Sequence, residues 1–400
     1  MRKVLLTLVM VLLLVPAISH AGSGYEGGFY INNDDDSFRV TIGGRVQPKL
    51  FFDKQKGANS TISFDLRRAL LSVDAVISEK AFAGFALQHT QSSVENTTFQ
   101  NVNITGVYAG IEIIPEFVIT AGMVGLPLSF INEVSSKWLV TPEFPQVVTR
   151  DDTLQAITPL RSSFGTPDGL GINFSGAHWK WFYSFSVVNG AESNYTINQN
   201  SKRMSLGFRT GFNILDPVPG SLTDFDCSDT PKLMVSIGSD YQGKSTDNSL
   251  VDTAGNPDPA TLKYKWTSSL GVALRWAGLA FTTEGFYRKT RITDLGGAIW
   301  ARPHLTDIGY YATVGYYIIP KKFEIGAQAG QSIRQGPAND SWEFGGSLNY
   351  YIFQNNLKMQ LAYTLSRFYG WVETDPTASA GAYSRQNTQH YVNLMASAFF

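Results

Sequence analysis

Ser37 to Asp53 reads SFRVTIGGRVQPKLFFD. Taken at every second residue it separates into two sets. Phe38, Val40, Ile42, Gly44, Val46, Pro48 and Leu50 form one; Arg39, Thr41, Gly43, Arg45, Gln47 and Lys49 form the other. Successive side chains of a strand point to opposite faces, so this is a strand with one apolar and one cationic face. Pro48 cannot donate to a ladder, which predicts a bulge or a strand end there.

The same period recurs along the chain. Tyr264, Trp266, Leu270, Val272, Leu274 and Trp276 alternate with Lys263, Lys265, Thr267, Ser269, Ala273 and Arg275. Trp179, Trp181, Tyr183, Phe185 and Val187 oppose Lys180, Phe182, Ser184 and Ser186. No run of 18 apolar residues and no helical period is found after the first two dozen residues. Short connections, such as SEK at Ser78 and WAG at Trp276, alternate with long polar ones. One stretch breaks the rhythm: Leu215 to Pro231 fills a short slot but is long.

Counted between these connections, the strands number about sixteen. Charged residues make up only 16% of the 400-residue chain, well below the share of about a quarter in soluble domains. A soluble sandwich would carry charge on its outer face, whereas here the apolar face is often aromatic. The pattern therefore predicts an all-β protein, a transmembrane antiparallel β-barrel. Only a closed sheet pairs all its backbone groups inside hydrocarbon. Tyr and Trp near strand ends, at Trp179, Trp276, Tyr310, Trp342 and Tyr350, fit interfacial girdles.

Arg2, Lys3 and the short apolar run Val4–Val15, followed by Ser19 and Ala21, read as a secretory leader cleaved after Ala21. Loss of Arg2 and Lys3 leaves 30 basic against 33 acidic residues. The expected organisation is a leader over 1–21, a short periplasmic segment over 22–36 and a barrel over 37–400. The single Cys227 reads as a spectator in a loop.

Metal and cofactor chemistry find little support. His89, His178, His304 and His390 show no ligand spacing for zinc. Gly22, Gly24 and Gly27 match a dinucleotide fingerprint but lack the strand before and the helix after it. Asp34–Asp36 lack the rest of a calcium loop. No catalytic residue, cofactor, metal or nucleic-acid partner is expected; an outer-membrane hydrolase is the enzymatic alternative.

Several stretches resemble the phosphate-selective porin O and P family of Gram-negative outer membranes. They are GFYINNDDDSFRVTIGGRVQ (Gly28–Gln47), FDLRRALLSVDAVI (Phe64–Ile77) and FVITAGMVGLPLSF (Phe117–Phe130). GLGINFSG, FSVVNGAESN, GYYATVGYYIIPKKFEIGAQAG and LNYYIFQNNLKMQLAYT follow in the same order. YVNLMASAFF, ending on Phe400, resembles the terminal strand of outer-membrane proteins. The resemblance implies a trimeric sixteen-stranded porin whose long third loop, here Gly125–Asp168, folds into an arginine-lined pore. Where that family carries a lysine before the third loop, this chain reads Gly122, Met123, Val124, Gly125.

Strand residues out of phase with the apolar set face the lumen. Arg39, Arg45, Lys49, Arg68, Lys180, Arg203, Arg209, Lys263, Lys265, Arg275, Arg288 and Lys358 stand there against Asp74, Glu112, Asp240, Glu284, Glu324 and Glu343. The excess of cations predicts that a diffusion channel for small hydrophilic solutes has a modest anion preference; phosphate among the anions is what the resemblance implies. A general or cation-preferring pore is the alternative. Arg39, Arg45, Arg67 or Arg68, and one of Arg150 or Arg161 in the third loop are expected to line the narrow part. The partners expected are outer-membrane lipid, small anionic solutes and two further copies of the chain.

Overall fold

In a computed structural model, residues 22–25, 28–33, 37–55, 59–94, 97–148, 164–166, 168–189, 204–243, 245–247, 260–294, 304–335, 340–373 and 383–400 are described. Sixteen antiparallel strands form the wall. They are β1 Arg39–Gln55, β2 Thr61–Val76, β3 Ala81–Val94, β4 Thr97–Ile114, β5 Phe117–Gly125, β6 Asp168–His178, β7 Trp181–Val188 and β8 Ser205–Asn213. They continue with β9 Lys232–Gln242, β10 Ala260–Trp276, β11 Leu279–Asp294, β12 His304–Ile319, β13 Phe323–Ile333, β14 Asp340–Phe353, β15 Leu357–Glu373 and β16 Tyr383–Phe399. Each pairs with the next, and β16 pairs with β1 from Gln389↔Gln55 to Phe399↔Arg45, which closes the sheet. Closure leaves the wall without an edge, as hydrocarbon requires.

The two-residue period is expressed as predicted. Along β12, buried Leu305, Asp307, Tyr311 and Thr313 alternate with exposed Ile308, Tyr310 and Tyr316 or half-buried residues. The polar set faces inward, and the apolar set is exposed to the outside. Among the described residues, the exposed Tyr and Trp of the wall lie on β7–β15 and adjoining turns: Trp179, Trp181, Trp266, Trp276, Tyr287, Tyr310, Tyr316, Tyr350 and Tyr363. On β1–β6 the exposed large side chains are Ile, Val, Leu and Phe, such as Ile42, Val46, Phe64, Val107 and Ile172.

The short turns use backbone that their sequence does not advertise. Ala277 and Gly278, between Trp276 and Leu279, both have positive φ (51° and 82°). That is the primed geometry whose twist suits a two-residue hairpin. Trp179 (53°), Lys321 (60°) and Gln354 (46°) also take left-handed backbone at such turns, without the Asn-Gly signal that would have announced it.

Two features near the N-terminal end add to the alternation. The segment 22–36, expected as a short periplasmic segment, contributes strands Gly22–Tyr25 and Phe29–Asn32; the latter pairs with β1 from Phe29↔Ile42 to Asn32↔Arg39. Of the two outcomes expected at Pro48, a bulge or a strand end, the structure has the bulge, within a strand that runs on to Gln55. Gln47 pairs with Arg68 and Pro48 with Leu66, so Arg67 is the extra residue. A proline without an N–H suits that position, where the ladder is already interrupted.

Candidate pore constriction

Between β5 and β6 the chain turns into the barrel. Residues 126–148 include a single helical turn at Phe130–Glu133 and a 3-10 turn at Ser136–Trp138. Leu128, Phe130, Ile131, Val134, Leu139, Val140, Val147 and Val148 are buried against Phe164, Leu222, Met234, Ala273, Phe286 and Tyr311. This apolar cluster is the core of the molecule, and it lies inside the barrel.

Inward side chains on β10, β11, β14 and β15 hold this loop by its backbone. On β10, Ser269 Oγ donates to Leu128 O at 2.5 Å. On β11, the Glu284 carboxylate accepts from Phe130 N at 2.7 Å and Ile131 N at 3.2 Å, and also from the Tyr311 hydroxyl of β12. On β14, Ser347 Oγ and Asn349 Nδ2 donate to Val140 O at 2.8 and 2.7 Å, and Glu343 accepts from Gln146 N at 2.5 Å. On β15, Lys358 Nζ donates to Lys137 O at 2.9 Å and Leu139 O at 3.3 Å. Charged acceptors and donors make the stronger hydrogen bonds, each of about 1.5–3 kcal/mol. Leaving any loop amide unpaired here would incur its full desolvation cost.

Between these anchors the loop also meets β1 and β2. There the bulge changes what the sequence can present. Consecutive residues of a regular strand face opposite ways, but the extra residue turns Arg67 to the same side as Arg68. Arg67 Nε donates to Glu143 Oε1 at 2.7 Å, and Arg68 Nη2 to Glu143 Oε2 at 3.2 Å. Lys49 Nζ lies 3.8 Å from Glu143 Oε1 and 3.3 Å from Asp65 Oδ2. Arg45 Nη1 donates to Ser136 Oγ of the loop at 2.6 Å. Arg68 Nη1 bonds Gln47 Oε1 at 3.2 Å, and Gln47 in turn reaches Ser397 across the closing seam at 3.0 Å. Four cations thus face two carboxylates. Burial opposes the charge of Glu143, but the attraction of Arg67 and Arg68, the hydrogen bond from Arg67 and the nearby Lys49 outweigh it and hold its carboxyl at about 2. Arg67 is more open than Arg68 and Lys49, its side chain 29% exposed against 8% and 11%.

The other expected residues divide. Arg209 forms an ion pair with Glu133 of the loop and lies over the rings of Phe130 and Phe182. Arg209, Glu133 and Phe182 line, with Asn173, Ser175 and Ser184, a cavity of about 450 Å³. Arg39 stacks on Tyr30 at 4.0 Å, toward the N-terminal hairpin. Arg275 is fully buried, not pore-facing: its guanidinium bonds Ser221 O, Leu274 O, Phe281 O and Thr282 Oγ1. Lys265 and Arg288 are buried too, Arg288 against the Phe164 ring at 4.4 Å. Lys263 is exposed at a register shift between Leu262 and Tyr264, where the alternation slips. Arg150, Arg161 and Arg203 lie outside the described residues. The anchoring role of Glu284, Glu343 and Lys358 was not visible in the sequence, where they counted only as lumen charges.

No family model and no curated protein matches the chain. Solved structures do match. The anion-selective porin from Comamonas acidovorans superposes with a TM-score of 0.63 at 12% identity, over 91% of this chain and 100% of that one. The outer-membrane channel DcaP of Acinetobacter baumannii gives 0.58 at 10%, over 92% and 99%. OmpF of Salmonella typhi gives 0.55 at 12%, over 94% and 100%. What the chain shares with them is architecture, sixteen antiparallel strands closed into the barrel of an outer-membrane porin.

Proposed function

We propose that the chain is an outer-membrane porin, a water-filled path for small hydrophilic solutes with a modest preference for anions, phosphate among them. The observation that carries the preference is the bulge at Pro48, which turns Arg67 and Arg68 together toward the loop beside Arg45 and Lys49. Arginine can grip phosphate through two parallel hydrogen bonds. A wall of low dielectric strengthens such a field. The order of the motifs that resemble the phosphate-selective porins supports the narrower assignment. In this reading the leader is removed after Ala21, the short turns face the periplasm and the long loops face outward.

The same reading includes a homotrimer. Interfacial Tyr and Trp belong where a wall meets headgroups. Among the described residues, their restriction to β7–β15 and adjoining turns leaves β1–β6 as the face suited to another copy.

Reversal potentials across a planar bilayer in a salt gradient test the function. Anion-over-cation permeation, reduced by Arg67→Gln, is expected. A clear cation preference would leave the general, cation-preferring pore as the better description.

A further inference from the structure

The segment between β8 and β9 is the stretch that broke the alternation of short and long connections. A solvated linker would expose its polar residues. This one buries Ser221, Leu222, Thr223 and Asp224. Ile214 N still donates to Leu233 O at 2.7 Å, so the two strands reach the end of their pairing before the excursion begins. A two-residue turn would have sufficed there.

The excursion runs beneath the ends of β10–β14. Ala277 N donates to Ser228 O at 2.9 Å, and Gly278 N to Asp224 Oδ2 at 2.8 Å. Asp224 also accepts from Ser228 N and Ser228 Oγ, which fixes the local turn. Phe225 packs on Tyr317 and Tyr351, with ring centroids 6.0 and 5.4 Å away. Buried Arg275 clamps Ser221 O with two of its nitrogens.

The third loop enters from the opposite end of the barrel, yet the two segments touch. Leu222 N donates to Trp138 O at 3.1 Å, and Leu222 and Val218 join the apolar cluster of the loop. Next to Trp138, Lys137 reaches the short turn after β14 through Asn356 Oδ1 at 2.7 Å, and Asn355 Nδ2 donates to Lys137 O at 3.2 Å. The loop therefore descends to the level of the short turns and is met there by a segment rising from them.

We propose that residues 214–231 form an inward-folded floor that fixes the third loop at its lowest point and closes the lumen beneath β9–β14. The constriction is then built from both ends of the barrel, and solute leaves past the floor, on the side of β3–β7. This rests on the porin reading for its conductance arm but not for its contact arm.

Two variants test it. In a Cys227→Ser background, Trp138→Cys with Leu222→Cys should cross-link in the folded, heat-modifiable protein, and the cross-linked and reduced forms should conduct alike. Separately, replacing Asp216–Pro231 by Asn-Gly should raise unit conductance by about twofold or more, with added flicker, because the lower boundary of the lumen is gone. Absence of the cross-link overturns the contact and with it the proposal. A folded short-turn variant with wild-type conductance overturns the floor. If the short-turn variant does not fold, a cross-linked double-cysteine protein that conducts less than its reduced form overturns the claim that the native floor is already docked. A wild-type protein that forms no channel while the cross-linked pair still forms defeats the porin reading and leaves the docking intact.

Discussion

Arg67 and Arg68 are adjacent in the chain and face the same side of the sheet. The bulge opposite Pro48 makes this possible, and both guanidiniums then converge on one loop carboxylate. Charge at the candidate constriction is therefore set by backbone register as much as by composition.

Glu143→Gln should strengthen anion preference. Removing one of two carboxylates facing four cations takes away the negative charge that Arg67 and Arg68 share, while leaving the loop its wall anchors. Reversal potentials should show the anion-to-cation permeability ratio rising about two- to threefold, a size consistent with neutralising one charge of a ring.

Acid should loosen the hold of β1 and β2 on the loop. The Glu143 carboxyl titrates at about 2 in the folded protein against an ordinary 4.5. A depressed carboxylate stabilises above its unfolded value, and that contribution is lost as pH falls through the folded one. Current noise should stay flat down to about pH 4.5 and grow between there and about pH 2. Glu143→Gln should show no such window.

Arg275→Gln should leave selectivity unchanged and reduce stability. The guanidinium is spent on backbone carbonyls and presents no charge to solute. Orphaning these buried acceptors costs about 1–3 kcal/mol for each group left unpaired. The heat-modifiable band should convert at lower temperature, while the reversal potential stays at the wild-type value. A shift as large as that of Arg67→Gln would return Arg275 to the pore.

Glu284→Ala should release the start of the loop. It deletes the acceptor of two loop amides and of the Tyr311 hydroxyl. Protease cleavage within 126–148 should rise strongly while the barrel remains heat-modifiable.

Deleting Arg67 should regularise the strand. Gln47 keeps Arg68 and Pro48 keeps Leu66, so no other side chain changes face. Anion preference should fall as far as it does in Arg67→Gln, since the lost guanidinium is the same. A larger fall would mean that the bulge also orients Arg68.

The wall was legible because its period is set by geometry that each strand repeats. Tyr264 to Trp276 sorts into outer and inner sets by counting alone, until the slip at Lys263. The pore was less legible. Alternation says that Arg45, Arg275 and Arg288 all face inward, but not whether they meet water or a folded-in segment. That depends on contacts across the lumen, such as Arg275 with Ser221, 54 positions apart in the chain. The unusual length of Leu215–Pro231 was the one trace of such a contact in the sequence.

The pairing of β16 with β1 has a consequence for folding order. Gln47 and Ser397, which join across that seam, are 350 positions apart. Contacts of such long sequence separation form late, because the entropy of ordering the intervening chain comes first. Arg45 and Lys49 sit on the strand at this seam, so the charged wall takes its final shape only when the last strand docks. An incompletely assembled chain would expose an open sheet rather than a selective pore.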